Sequence, residues 1–253
     1  MSAARPADGI AWITGASTGI GEAVARRMVA RGWTVAVTAR DEGKLQALAA
    51  AHPGRIIAAP CDVTDAAAMK ATLARIEAEA GRPVALAMFN AGAWKEMGAA
   101  DFDLGAFRVM VATNLIGTAA GLDAVMPAMI ARKSGQIAIV ASVAGYRGLP
   151  RAVAYGATKA ALISMAESLK FDLDRVGVTM TVVNPGFVRT AMTSKNTFPM
   201  PFLLEVDDAA ERIVRGLASG RFEVAFPWQL VCPLKVLQIL PGRLFFWLVS
   251  RGM

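Results

Sequence analysis

One histidine and two cysteines are all that 253 residues contain of imidazole and thiol side chains. His52 precedes Pro53 in a polar loop and reads as an ordinary surface residue rather than a catalyst. Cys61 and Cys232 are too few and too isolated for a disulfide framework or a metal site, which points to a reducing, cytoplasmic setting and to no bound metal. The basic residues are scattered, with neither an aromatic–basic ladder nor zinc-finger spacing, so nucleic acid is not an expected partner. The leading MSAARPADG has no apolar core, and no signal peptide is expected. No internal repeat or low-complexity run interrupts the chain.

What is abundant is small and apolar. Hydrophobic residues make up 55% of the chain and mean hydropathy is +0.44. Much of this is alanine, which suits buried parallel strands and close-packed helices. The net charge of +7 calls for an anionic cofactor or an anionic membrane surface. The length fits one large α/β domain.

Apolar runs at 9–13, 34–39, 55–59, 84–89, 136–141, 178–183 and 222–226 read as strands. Helical stretches alternate with them, the longest at 104–133, and either Thr64 or Asp65 caps the one that ends at 80. Asp207 is expected to cap the helix ending near 219. Strand–helix alternation with single-step connections predicts a Rossmann-like, doubly wound parallel sheet with its site at the carboxyl ends of the strands. Gly15, Arg40, Asp62, Asn90, Ser142 and Pro185 all fall at such ends.

The first strand runs into TGASTGIG, from Thr14 through Ser17 to Gly21, and then an amphipathic helix. Gly15 permits a tight turn, Gly19 lets backbone approach a pyrophosphate, and Gly21 allows close helix–strand packing, with N–H groups and positive dipole at the helix start. A purely structural glycine turn would share this pattern. Arg40, where an acidic residue would hold a ribose 2′-hydroxyl, suits a 2′-phosphate instead, although Asp41 and Glu42 beside it could pair with it. Asp62 can accept from an adenine amino group or cap a helix, and Asn114, mid-helix in an apolar surround, is either a satisfied core amide or a group that orders water near Lys159.

Tyr155 and Lys159 lie four residues apart and project from one helix face. A nearby ammonium favours phenolate and so is expected to pull the Tyr155 pKa down from about 10. Ser142, on the preceding loop, can bond the same substrate oxygen. The set suits a carbonyl gaining, or an alcohol losing, a hydride.

These motifs together, TGASTGIG, Asp62-Val63, Asn90-Ala91-Gly92, Asn114, Ser142, Tyr155-x-x-x-Lys159 and Pro185-Gly186, resemble the short-chain dehydrogenase/reductase family in order and spacing over residues 9–226. The resemblance implies Tyr155 as general acid or base, Lys159 lowering its pKa and bonding the nicotinamide ribose, Ser142 polarising the substrate oxygen, and Asn114 holding a relay water. It implies Thr18 and Ile20 on the pyrophosphate or adjacent ribose, and Asp62 and Val63 on adenine. Asn90, Ala91 and Gly92 would line the adenosine ribose, with Pro185, Gly186, Val188 and Thr190 on the carboxamide face. The Thr38-Ala39-Arg40 ending looks like NADP(H)-dependent members, with NAD(H) as the alternative, while Thr18 lacks the second basic residue many such members carry. A homo-oligomer, dimer or tetramer, built on the long helices is usual in the family.

Residues 190–206 occupy the family's variable substrate lid, and their apolar content suits a hydrophobic ketone or aldehyde, or simply cover for their own core. Residues 227–253 form an apolar extension without a spanning run, because Pro233, Lys235, Gln238, Pro241, Gly242 and Arg243 break it. Two short helices hinged at Pro241-Gly242 are expected. They either meet anionic headgroups through Lys235, Arg243 and Arg251, at the periphery of a membrane, or bury Trp228, Phe245, Phe246 and Trp247 over the cleft or a partner subunit. The sequence thus reads as an oxidoreductase for a small-molecule carbonyl or alcohol. An NAD-dependent dehydrogenase acting oxidatively is the alternative, and a cofactor-sensing regulator or a membrane-docking scaffold lies further off.

Overall fold

Strand β1 (Ile10–Thr14) is buried at every position, as are β2 (Val35–Thr38) and β4 (Val84–Phe89). Such strands carry unbroken apolar runs because both faces of the sheet are covered. In the computed structural model, which describes residues 3–196 and 198–251, seven strands form one sheet in the order β3-β2-β1-β4-β5-β6-β7. The others are β3 (Ile56–Ala58), β5 (Gly135–Val140), β6 (Val178–Pro185) and β7 (Glu223–Phe226), and every pairing is parallel. The chain builds outward from β1 to β3, then restarts at β4 on the other side of β1, so a crevice opens above the β1/β4 ends.

The period-2 side-chain alternation splits the core between two faces. Ala11 and Ile13 point to helices α1 (Gly19–Ala30), α2 (Glu42–Ala50) and α7 (Val206–Ala218), meeting Val24, Met28, Leu45 and Ile213. Ile10 and Trp12 point to α3 (Ala66–Ala80), α5 (Gly117–Ala131) and α6 (Val153–Arg175), meeting Met69, Val125 and Leu162. Trp12 satisfies its buried indole by donating to Thr38 Oγ1 at 2.8 Å. Gln136, also fully buried, donates to Thr181 Oγ1 and the Leu217 carbonyl and accepts from Ala4 N–H.

Three aspartates start helices by accepting an orphan N–H. Asp41 takes Lys44 N–H, Asp65 takes Ala68 N–H, and Asp103 takes Ala106 N–H at the start of α4 (Leu104–Met110). Of the two candidate caps before α3 the structure uses Asp65, since Thr64 is bonded to Asp62. Asp207 is not a cap: α7 begins at Val206 after Glu205, and Asp207 lies one residue inside, 3.5 Å from Arg27.

The single helix expected over 104–133 is interrupted. Val111–Ile116 forms a π-helical turn between α4 and α5, an extra residue that displaces the side chains around Asn114. By length and composition Leu104–Ala131 could cross a membrane, yet its inner face packs on β4 and α3 as a core helix.

The stretch 190–206 is tied at its base by a parallel bridge between Val188 and Leu204, with Thr197 outside the described residues. The extension does form two helices, α8 (Trp228–Ile239) and α9 (Gly242–Arg251), with Gly252 and Met253 outside the described residues. Of the four aromatics expected to be buried in the covering alternative, only Phe245 is. Trp228, Phe246 and Trp247 are exposed. Lys235 is not available to headgroups either, because it pairs with Glu223.

Candidate active site

The crevice is built first by a node that joins β1 to β4. Thr14 Oγ1 accepts the N–H groups of Asn90 and Ala91, while the Asn90 amide donates to the carbonyls of Thr14 and Gly15, all at 3.1–3.2 Å. This draws the two strand ends so close that a Cβ on Gly15 would stand 2.6 Å from Ala91 Cα, and Gly15 also holds φ +66°. A Cβ on Gly21 would meet the Gly15 carbonyl at 2.5 Å. The turn Ser17, Thr18, Gly19, Ile20 then presents the N-terminus of α1 to the crevice. At Gly19 an added Cβ would approach only Thr190, at 3.3 Å, so the backbone is bare there.

At the outer end stands Arg40, exposed. Asp41 caps α2 and pairs with Lys44 at 3.1 Å, so it does not neutralise Arg40, which makes no ion pair among the described residues. Asp62 accepts from Thr64 N–H and Thr64 Oγ1 at 2.9 and 2.8 Å. Those bonds, with Arg40 nearby, hold its carboxyl below the usual range and fix its orientation. Val63 packs so tightly on Gly117 that a Cβ there would lie 2.7 Å away.

At the inner end, Ser142 leaves β5 and starts a short 3₁₀ turn (Val143–Gly145), accepting Ala144 N–H at 3.2 Å. Gly145 lets that turn press on α6, since its Cβ would fall 2.6 Å from the Lys159 backbone. The contact brings Ser142 and Tyr155 to the same end of the cleft, where the Ser142 hydroxyl donates to the Pro185 carbonyl at 3.4 Å. The Trp94 ring meets Tyr155 edge-on at 4.9 Å and donates its indole N–H to Asn196 at 2.8 Å. Lys159, 4% exposed, donates to the Val140 carbonyl at 2.8 Å, with Nζ 5.4 Å from the Tyr155 ring centre.

The expected fall in the Tyr155 pKa is not what this geometry gives. Burial pushes the phenol upward, and the neighbouring Ser142 hydroxyl pulls the other way less strongly. Burial also pushes the Lys159 ammonium down to about 8. Low dielectric penalises each charged form separately, and the ammonium is anchored on Val140 rather than on the phenol oxygen.

Asn114 is fully buried and lies behind the wall rather than on it. Its Oδ1 accepts Ala93 N–H at 2.6 Å, and its Nδ2 donates to the Ala93 carbonyl and Thr158 Oγ1. The π turn sets this side chain between the Ala93 loop and α6. Gly92 lies beside it, with space for a Cβ 3.5 Å from Asn114 Oδ1 and 3.9 Å from Lys159 Nζ.

All the remaining expected residues line one cleft of about 660 Å³: Gly15, Ser17, Thr18, Gly19, Ile20, Arg40, Asp62, Val63, Asn90, Ala91, Gly92, Ser142, Tyr155, Lys159, Pro185, Gly186, Val188 and Thr190. Gly21 and Asn114 support it from behind. Met192 and Thr193 bring the expected lid stretch into the lining, while sequence reasoning missed Val109 and Thr113 there, and Trp94 against Tyr155. Thr193 had a local signal: Thr-x-x-Thr lets its hydroxyl accept Thr190 N–H at 2.9 Å and close the loop. The cleft carries a cation at each end and bare, glycine-lined backbone at a helix N-terminus between them. Those features match a dinucleotide with a central pyrophosphate.

Comparison with known proteins agrees. The short chain dehydrogenase family profile matches residues 9–199, and the chain belongs to that family. It is an oxidoreductase acting on a carbonyl or alcohol with a nicotinamide cofactor. An uncharacterized oxidoreductase of Myxococcus xanthus is 41% identical over 238 residues, 93% of this chain and 94% of that one. The 3-oxoacyl-acyl-carrier-protein reductase FabG of Escherichia coli is 35% identical over 184 residues, 73% of this chain and 75% of its own. Among solved structures, a short-chain dehydrogenase from Sphingobium yanoikuyae in complex with NADPH superposes with TM-score 0.80 at 26% identity, covering 90% of this chain and 92% of that one.

Proposed function

We propose that the chain reduces an apolar ketone or aldehyde to its alcohol with NADPH. The observation that carries this is the joining, in one cleft, of Ser142, Tyr155 and Lys159 to an Arg40 that makes no ion pair among the described residues. Tyr155 donates its proton to the substrate oxygen as the nicotinamide supplies hydride. Ser142 offers that oxygen a preorganised hydrogen bond. Lys159, mostly protonated at pH 7 with a pKa of about 8, stabilises the phenolate left behind and bonds the nicotinamide ribose. Asn114 fixes the Ala93 turn beside Lys159, where the proton relay to solvent is placed.

Gly15 through Gly21 cradle the pyrophosphate, and Asp62, Val63, Asn90, Ala91 and Gly92 hold the adenosine. Pro185, Gly186, Val188 and Thr190 meet the carboxamide. Arg40 takes the 2′-phosphate, a reading supported by the Sphingobium relative's complex with NADPH. The apolar substrate is supported by Trp94 against Tyr155 and by exposed Val109 and Met192 in the lining. We place the homo-oligomer contact on α4–α6, where Ile116, Val153 and Phe171 are exposed.

The test is NADPH oxidation against ketones and aldehydes of increasing chain length, with NADH in parallel. Rates that rise with chain length and favour NADPH are expected. Activity only on small polar carbonyls, or equal use of NADH, overturns the substrate or the cofactor assignment respectively.

A further inference from the structure

The outward face of the C-terminal helices is apolar where a solvated helix is polar. On α8 the inner stripe Leu230, Val231, Leu234 packs on Val143 and Tyr146. The opposite stripe, Trp228, Cys232, Val236 and Ile239 at spacings of four, four and three, is apolar too, with Trp228 69% and Ile239 81% exposed. Helix α9 buries Phe245 and turns Leu244, Phe246, Trp247 and Leu248 outward, Phe246 being 70% exposed. Helices of 12 and 10 residues broken at Pro241 are too short to span a bilayer, but suited to lying along one.

Charge selects the occupant. Residues 224–253 contain no aspartate or glutamate, and Arg243 and Arg251 stand on α9 among its exposed apolar side chains. Lys235 is consumed by Glu223 and is not counted. A two-fold contact with a second copy would set these arginines against their own equivalents with no acid to match them. Anionic headgroups match them directly, and Trp228 and Trp247 are the amphipathic rings that settle at headgroup depth.

We propose that α8 and α9 form a docking face for an anionic lipid surface. The face holds the protein peripherally, through exposed apolar side chains reinforced by Arg243 and Arg251. Because Leu230 on the inner side of α8 sits against Gly186 in the cleft wall, docking brings the cleft close to the lipid.

The experiment is flotation of the full chain with phosphatidylcholine vesicles and with vesicles also containing phosphatidylglycerol, at low and high salt. Flotation with the anionic vesicles alone, weakened by salt, is expected. Arg243→Gln and Arg251→Gln should each weaken it about fivefold, and Ile239→Glu with Phe246→Glu should abolish it while circular dichroism and the thermal melt stay unchanged. No flotation with anionic vesicles overturns the proposal, as does equal flotation with neutral ones. So does concentration-dependent self-association that the paired glutamates abolish without any vesicle binding, which assigns the face to a second copy. Tyr155→Phe should float like the parent, so failure of the reductase reading and failure of this one are separately visible.

Discussion

At the outer end of the cleft Arg40 stands in water without an ion-pair partner or side-chain hydrogen bond among the described residues, its charge felt only by nearby Asp62. At the inner end Lys159 is almost wholly buried, bonded to Val140, and its ammonium has been pushed down to about 8. An exposed guanidinium can be exchanged at little cost to folding, and what changes is the ligand it reads. A buried ammonium burdens the fold, so changing it alters stability and chemistry together. The two ends therefore respond to substitution in different ways.

The largest effect belongs inside. Tyr155→Phe should lower turnover about a thousandfold, the scale of a lost general acid, while NADPH affinity measured by fluorescence titration stays within a few-fold. Retained turnover would remove Tyr155 from the mechanism. Next, Asn114→Ala leaves the half-buried Ala93 N–H and carbonyl and the buried Thr158 with lost partners. Urea denaturation should show a loss of about 2–3 kcal/mol. An unchanged midpoint would mean that the π turn relaxes to replace those bonds.

Lys159→Met sharpens the contrast through pH. The folded-state pKa is depressed, so between about 8 and the ordinary 10.5 the unfolded chain binds more protons, and wild-type stability gains as pH rises. The substitution removes that gain. Melts should favour the variant, relative to wild type, more at pH 7 than at pH 10, and the difference should shrink by up to about 3 kcal/mol. A pH-independent difference would show that the ammonium carries no desolvation burden. The smallest effect in energy lies outside. Arg40→Asp should shift the NADPH/NADH ratio of kcat/KM about tenfold to a hundredfold toward NADH, with the melting temperature nearly unchanged. If the ratio holds, Arg40 does not read the 2′-phosphate and the comparison between the ends fails.

The sheet was legible because buried parallel strands write themselves as short apolar runs, and the residue ending each run is where such folds place their chemistry. Gly15, Asn90 and Ser142 could be assigned to one crevice without coordinates. Features resting on distant pairings could not. The π turn is one, since Val111–Ile116 has ordinary helical composition and its register is decided by what Asn114 finds on the Ala93 loop. Lys235 is another. In sequence it is a cation in an apolar tail, and only the fold brings it to Glu223 and over the Tyr146 ring at 5.5 Å. The Tyr155 shift was misjudged for the same reason: helical spacing gives proximity to an ammonium, but burial, the larger influence, is invisible at four residues' range.

Arg147 follows the Ser142 turn by a few residues, and its guanidinium donates to the Leu237, Gln238 and Leu240 carbonyls while lying 4.0 Å over the Phe245 ring. One side chain thus closes the end of α8, receives α9, and is rooted beside Ser142. For protein engineering this moves the boundary of the usable unit. A version cut after β7, or a transplant of the Ser142–Lys159 segment into a shorter scaffold, would strip Arg147 of the α8 carbonyls and the Phe245 ring that hold it and loosen the loop that follows Ser142. Any such transplant has to carry α8 and α9 with it.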